Sequence, residues 1–201
     1  RLAVAHKTDA FTAVTELTIL APNHARLLSL FAGACLSVGA DIVGAHITTT
    51  RDGLALDTFL LQREFEDDAD EERRARRIRE LIERYLKGEA RVQKVLADRR
   101  SEHRVEAFSV SPRANVNNEL SDHYTVIEVA GRDRPGLLYE LTSELSDLSL
   151  DISSAHIATF GEKVIDVFYV TDLTGRKVSG EKRQEVIGER LGEIVEIEEE
   201  T

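Results

Sequence analysis

The chain contains no methionine and one cysteine, Cys35. A lone cysteine excludes an internal disulfide. Cys35 falls on the apolar stripe of a predicted helix, so it reads as a small buried hydrophobe and not as a nucleophile. No apolar run approaches the roughly 20 residues that a membrane span needs, and no leader pattern opens the chain. Aromatic residues make up 5%, and 37 acidic side chains outnumber 26 basic ones, for a net charge of −11. A chain so acidic and so poor in aromatics has little hold on nucleic acid or on an anionic membrane. The expectation is a cytoplasmic protein. A chain that starts at Arg1 and lacks methionine also reads as a piece of something longer.

What is present suits one or two domains with real cores: 201 residues, 42% hydrophobic and 31% charged. Residues 1–13 show no clear period and read as an upstream linker. Val14 to Leu20 alternate as a strand does, and Ala21-Pro22-Asn23-His24 is a turn. Leu27, Leu28, Phe31, Ala34, Cys35 and Val38 then share one helical face, which Gly39 ends. Asp41 to Thr50 and Leu54 to Gln62 are strands about the hairpin signal Arg51-Asp52-Gly53. Asp67 to Leu86 is a charged helix, its arginines and glutamates forming a solvated face. Ala90 to Ala97 reads as a short strand, and residues 99–121 as a break between domains, 14–98 and 122–201. Within the break, Val105 to Val110 alternates briefly and Asn115 to Ser121 is polar.

Beyond the break the order returns. Tyr124 to Ala130 alternates and leads into Gly131-Arg132-Asp133-Arg134-Pro135-Gly136-Leu137-Leu138. Leu141, Leu145 and Leu148 follow at helical spacing, so this is strand, tight turn and helix 135–148. Pro135 suits a first helical turn, where a missing N–H costs nothing. The N–H groups of such a helix start form a natural seat for a carboxylate. Asp133 beside it suits an ammonium, so the turn suits both ends of a free amino acid; a plain strand-to-helix turn is the simpler alternative. Strands 151–159 and 163–171, a helix over 180–191 and a strand-like Ile194 to Ile197 end the chain.

A shift of 110 residues lays the second half on the first. Leu27-Leu28 falls on Leu137-Leu138, Asp41-Ile42 on Asp151-Ile152, and Ala45-His46-Ile47 on Ala155-His156-Ile157. With one residue fewer in the hairpin, Asp57 falls on Asp166 and Phe59 on Phe168. Matching residues on matching elements indicate a duplicated βαββαβ unit, an α+β ferredoxin-like fold of antiparallel sheets with helices on one face. A bare second face and open edges call for pairing, within the chain or in a homodimer. Asp57 and Asp166 stand in strands rich in Leu, Val and Phe, where a carboxylate is expected to be solvated or paired. His46 and His156 each stand alone on a strand without a second ligand at binding spacing, so a structural or interface role is favoured over metal ligation.

The tandem units, the Gly-Arg-Asp-Arg-Pro-Gly-Leu-Leu turn and Asp151-Ile-Ser-Ser-Ala-His-Ile157 resemble ACT domains, which are regulatory amino-acid-binding modules. Ala45 to Phe59 and Ser154 to Val170 are similar to the C-terminal ACT pair of the bifunctional uridylyltransferase/uridylyl-removing enzymes of bacterial nitrogen control. The resemblance covers residues 14–197 and implies a glutamine sensor. It further implies upstream catalytic domains that need a divalent metal and that act on the PII signal protein. This chain itself shows no nucleotidyltransferase pattern, no His-Asp hydrolase set and no cofactor motif, so no catalytic, metal or cofactor residue is assigned to it. The family's ligand positions carry over to Asp133, Arg134, Pro135, Gly136, Leu137 and Asp151, and in the first unit to Asn23 and Asp41. Asp41 and Asp151 read equally as turn aspartates. Glutamine is expected between the turn at Asp133 to Leu137 and Asp151. The first site is expected to be the lesser one, because Pro22-Asn23-His24-Ala25-Arg26 lacks the Pro-Gly pair. A free-standing tandem-ACT regulator that works through protein contact is the alternative.

Overall fold

The computed structural model describes residues 2–9, 13–92 and 111–196. In order, the elements are β1 (Ala3–Asp9), β2 (Val14–Pro22), α1 (Leu27–Ser37), β3 (Ile42–Thr49), β4 (Leu54–Gln62) and α2 (Asp68–Leu86). Then come β5 (Arg113–Asn117), β6 (Thr125–Arg132), α3 (Leu137–Asp147), β7 (Leu150–Phe160), β8 (Lys163–Asp172) and α4 (Glu181–Glu196). The result is a mixed α/β architecture with one antiparallel sheet, ordered β1-β2-β4-β3-β7-β8-β6-β5.

Four differences from the sequence reading stand out. Residues 3–9, which show no period, form a strand along the whole of β2, with Ala3 opposite Leu20 and Asp9 opposite Val14. Arg113–Asn117 likewise edges β6. In each half, therefore, the outer strand precedes the strand–helix–hairpin core, so the described elements run ββαββα and not βαββαβ. An edge strand has one neighbour and little apolar alternation, which is why its composition is silent. Further, Ile194 to Glu196 continue α4, because Ile187, Leu191 and Val195 recur at a helical interval and are buried. Ala90 to Val92 carry no strand. The remainder of that expected strand, the segment Val105 to Val110 and Ile197 lie outside the described residues.

The helices cover one face of the sheet. There Leu17, Ile19, Phe59, Leu61, Ile127, Val129, Phe168 and Val170 meet Phe31, Ile78, Leu141 and Leu191 in one core. Central α1 packs against both α2 and α3, and its buried residues run almost all round it, as a helix flanked on both sides requires. Cys35 is fully buried within it, and burial pushes its thiol up to about 12. At the sheet's centre β3 pairs with β7, His46 opposite His156, Ala45 opposite Ile157 and Ile47 opposite Ala155. The duplication is thus expressed as a local two-fold axis through the His46–His156 pair. Register shifts at Ile42/Gly44 and Ile152/Ser154 repeat across it. No described helix is long and apolar enough to cross a membrane.

Candidate functional site

Both strand-to-helix turns are tied to the neighbouring hairpin by their first residue. The Asn23 N–H donates to Gly53 O (3.0 Å), and the Asp133 N–H to Glu162 O (2.7 Å). Each turn then closes alike, Leu27 N–H on His24 O and Leu137 N–H on Arg134 O. They differ just before the helix. Gly136 has a left-handed φ of 84°, whereas Arg26 has φ −98°. Pro135 consequently precedes α3 and does not sit in its first turn, since the left-handed Gly136 holds the chain out of the helix until Leu137.

The hairpin bonds fix where the aspartates lie. Asp133 is tied to Glu162, beyond the end of β7, while Asp151 lies at its start. The nine steps from Asp151 to Phe160 span roughly 30 Å at about 3.3 Å per residue. The pairing of Asp133 with Asp151 in one unit is therefore corrected: the two stand at opposite ends of their strands. Because β3 and β7 run antiparallel, the start of β7 meets the end of β3. There Asn23, His24, Ala25, Leu27, Leu28, Ile47, Thr49, Ala55, Asp57, Asp151 and Ile152 line one cavity of about 10 Å³, room for about one water. The cavity is composite, drawing its turn from one half and Asp151 from the other. The same axis carries Asp41, at the start of β3, toward the Phe160 end of β7 and the turn at Asp133.

Asp57 was not among the residues expected to bind. It faces the core from β4, between Ala55 and Phe59, and only 1% of it is exposed. Its Oδ1 has no hydrogen-bond partner. Burial pushes its carboxyl up to about 7, opposed by a hydrogen bond with the backbone of Thr48. Asp166 repeats this on β8: 2% exposed, Oδ1 unpartnered, pushed up to about 7 by burial and by the nearby charge of Asp133, against the backbone of Ala158. Neither carboxyl is solvated, and the expected pairing is met on one oxygen only, by the backbone of Thr48 and of Ala158. Period-two counting puts both on the buried face, which was the available signal. Asn23 Nδ2 donates to Thr49 Oγ1 at 3.2 Å, so an amide already lies at the cavity wall. Leu28 lines the cavity at the start of α1, where helix geometry leaves the first N–H groups without intrahelical acceptors.

Other expected residues are engaged elsewhere. Arg134 grips Glu140 with both nitrogens (3.1 and 2.6 Å) and also donates to Ile194 O. Leu137 is buried in the core. On the first turn, Ser146 Oγ donates to Ala25 O (2.5 Å) and Arg26 pairs with Asp147 (2.6 Å), so α3 of the second half braces the cavity. Position 136, the counterpart of Arg26, is glycine, so the second turn has no such pair. A larger open groove, about 760 Å³, lies between α4 and β5. It holds none of the expected residues, and Glu181, Glu185, Glu189, Glu193 and Glu196 line it, so it repels a free carboxylate.

A family model described as the ACR family N-terminal ACT domain matches residues 120–195. An ACT regulatory domain is indicated there. The matched stretch contains the turn at Asp133, β7 with Asp151, and β8 with Asp166. Among solved structures, a crystal structure of an unknown protein from Galdieria sulphuraria matches at 14% identity over 90% of this chain and 91% of that chain, with a TM-score of 0.29. No group of three or more His, Cys, Asp or Glu among the described residues is placed to hold a metal.

Proposed function

We propose that the two halves are paired ACT units and that the chain is an amino-acid-sensing regulatory module, with its ligand held where one half's turn meets the other half's Asp151. One observation carries this: the Asp57 carboxylate is buried against the cavity with Oδ1 unpartnered. A buried carboxylate of this kind is costly unless a donor reaches it. A ligand ammonium supplies one, and the N–H groups that follow Leu27 in the first turn of α1 supply the complementary seat for its carboxylate. Asn23 and Thr49 offer a donor and an acceptor for a side-chain amide. Glutamine fits all three demands and is the first ligand to test. The cavity is too small for it as it stands, so binding requires the turn and Asp151 to move apart. That motion is what lets a ligand bias a distant equilibrium, by its difference in affinity between the two states.

In this reading the chain senses glutamine for upstream catalytic domains in the cytoplasm that modify PII, and carries no catalysis itself. The resemblance of both halves to the ACT pair of those enzymes supports it. Titration calorimetry of the chain against the twenty amino acids tests the site. Saturable glutamine binding that Asp57→Ala and Asp151→Ala both weaken is expected. Binding of no amino acid, or binding indifferent to both changes, overturns it.

A further inference from the structure

We propose that His46 and His156 together hold a first-row divalent metal ion, on the sheet face opposite the helices. Their Nδ1 atoms face each other at 3.4 Å. Two nitrogens bound to one tetrahedral zinc at about 2.05 Å are separated by about 3.4 Å, so the rings already stand at the span that a shared ion needs. The ring centroids are 4.9 Å apart and tilted by 36°. Both side chains are exposed.

The surroundings prepare the ligands. Thr48 Oγ1 lies 3.2 Å from His46 Nε2. In the metal-bound form Nε2–H would donate to this hydroxyl, holding the tautomer that leaves the lone pair on Nδ1, the usual role of an outer-shell partner. The Tyr169 ring meets His156 edge to face at 6.3 Å and fixes that ring's plane. The backbones belong to the two central strands of an eight-stranded sheet, so the pair is held by its most rigid part. Two imidazoles without a carboxylate or thiolate select zinc, copper or nickel over magnesium or calcium. Water fills the remaining positions. The ion would staple β3 to β7 along the seam whose other face carries the composite cavity. The competing account is one imidazole donating a hydrogen bond to the other, and the two differ in whether metal is taken up.

Zinc titration of the intact chain by calorimetry, and copper titration followed by electron paramagnetic resonance, test this. One equivalent is expected, with two nitrogen donors in the copper spectrum. His46→Ala and His156→Gln should each abolish it, His6→Ala and His123→Ala should leave it, and Thr48→Val should weaken it roughly ten- to hundredfold. Both ligands are exposed, so the variants keep the fold, and a circular dichroism spectrum verifies this. The proposal is overturned by a chain that takes up no saturating equivalent, by a copper spectrum with fewer than two nitrogens, or by uptake that survives His46→Ala.

Discussion

Asn23 and Asp151 lie on the wall of one cavity although they belong to different halves of the chain. Neither half closes a site alone. Each contributes a turn at one end of the sheet and an aspartate at the other, and the antiparallel β3–β7 seam exchanges them. A ligand bound there would touch both halves and so would report on their separation, which a site confined to one unit would not do.

Asp151→Ala should weaken glutamine binding roughly ten- to hundredfold, the loss of about 1.5–3 kcal/mol expected for a contact to a charged group, and Asn23→Ala should weaken it less, by about 0.5–1.5 kcal/mol for a neutral amide contact. In a double-mutant cycle the two should be non-additive, because both line one cavity. Asp133→Ala and Asp151→Ala, roughly 30 Å apart at about 3.3 Å per residue, should add. Additivity of Asn23 with Asp151 would sink the composite site.

Gly136 and Arg26 hold equivalent places with opposite φ. Gly136→Ala should cost about 1 kcal/mol by urea unfolding, from the strain of a left-handed φ. Arg26→Gly should cost no more, and mainly through the lost ion pair with Asp147, which is exposed and therefore worth little. Equal tolerance of alanine at 136 would mean that the second turn relaxes to the first turn's shape.

Much of this arrangement was legible in the residues. The strong periodicities of Val14 to Leu20, Leu27 to Val38 and Tyr124 to Leu148 gave their elements, and the 110-residue repeat aligns His46 with His156, which stand opposite each other across β3 and β7. What escaped was whatever depends on distant partners. Edge strands Ala3–Asp9 and Arg113–Asn117 are defined by the neighbour they hydrogen-bond, not by an apolar face of their own. The exchange of Asp151 between halves follows from the direction of two strands paired across the repeat, which no local pattern encodes. Asp57 was visible as a polar residue at a buried period-two position, and its burial with Oδ1 unpartnered needed the packed helices to be seen.

Glu71 is fully buried, and it accepts from Thr15 Oγ1 (2.7 Å), from the N–H groups of Glu64 and Phe65 (both 2.9 Å), and from Arg74 (2.8 Å). Burial works against its charge, but these donors outweigh it and hold the carboxyl below its ordinary value. A depressed carboxyl contributes stability above its unfolded pKa and loses it as pH falls through the folded one. Glu71→Ala should cost about 3–5 kcal/mol at neutral pH, because it leaves the Thr15 hydroxyl and the Glu64 and Phe65 N–H groups without their acceptor and leaves the buried Arg74 guanidinium only Glu64 and the Gln62 carbonyl. The penalty should shrink in acid. Urea midpoints at pH 7 and pH 3 that differ from the parent by the same amount would refute the network.

Asp57 has the opposite sign. Its folded carboxyl titrates near 7, against about 3.9 in an unfolded chain. The fold prefers the protonated form, so the contribution is complete below about pH 4 and is lost as pH rises through 7. Three pH units correspond to a loss on the order of 4 kcal/mol. Asp57→Asn keeps the shape and cannot ionise, so it should gain stability over the parent as pH rises from 5 to 8. A ligand ammonium at Oδ1 favours the ionised form, so binding should release a proton below pH 7, and glutamine affinity should rise from pH 5.5 to 8. Asp57→Asn should abolish both the proton release and that slope while leaving the protein folded. Calorimetry in buffers of different ionisation enthalpy reads the proton count directly, and a parent chain that binds glutamine with no proton release at pH 6 would show that the ammonium does not sit on Asp57.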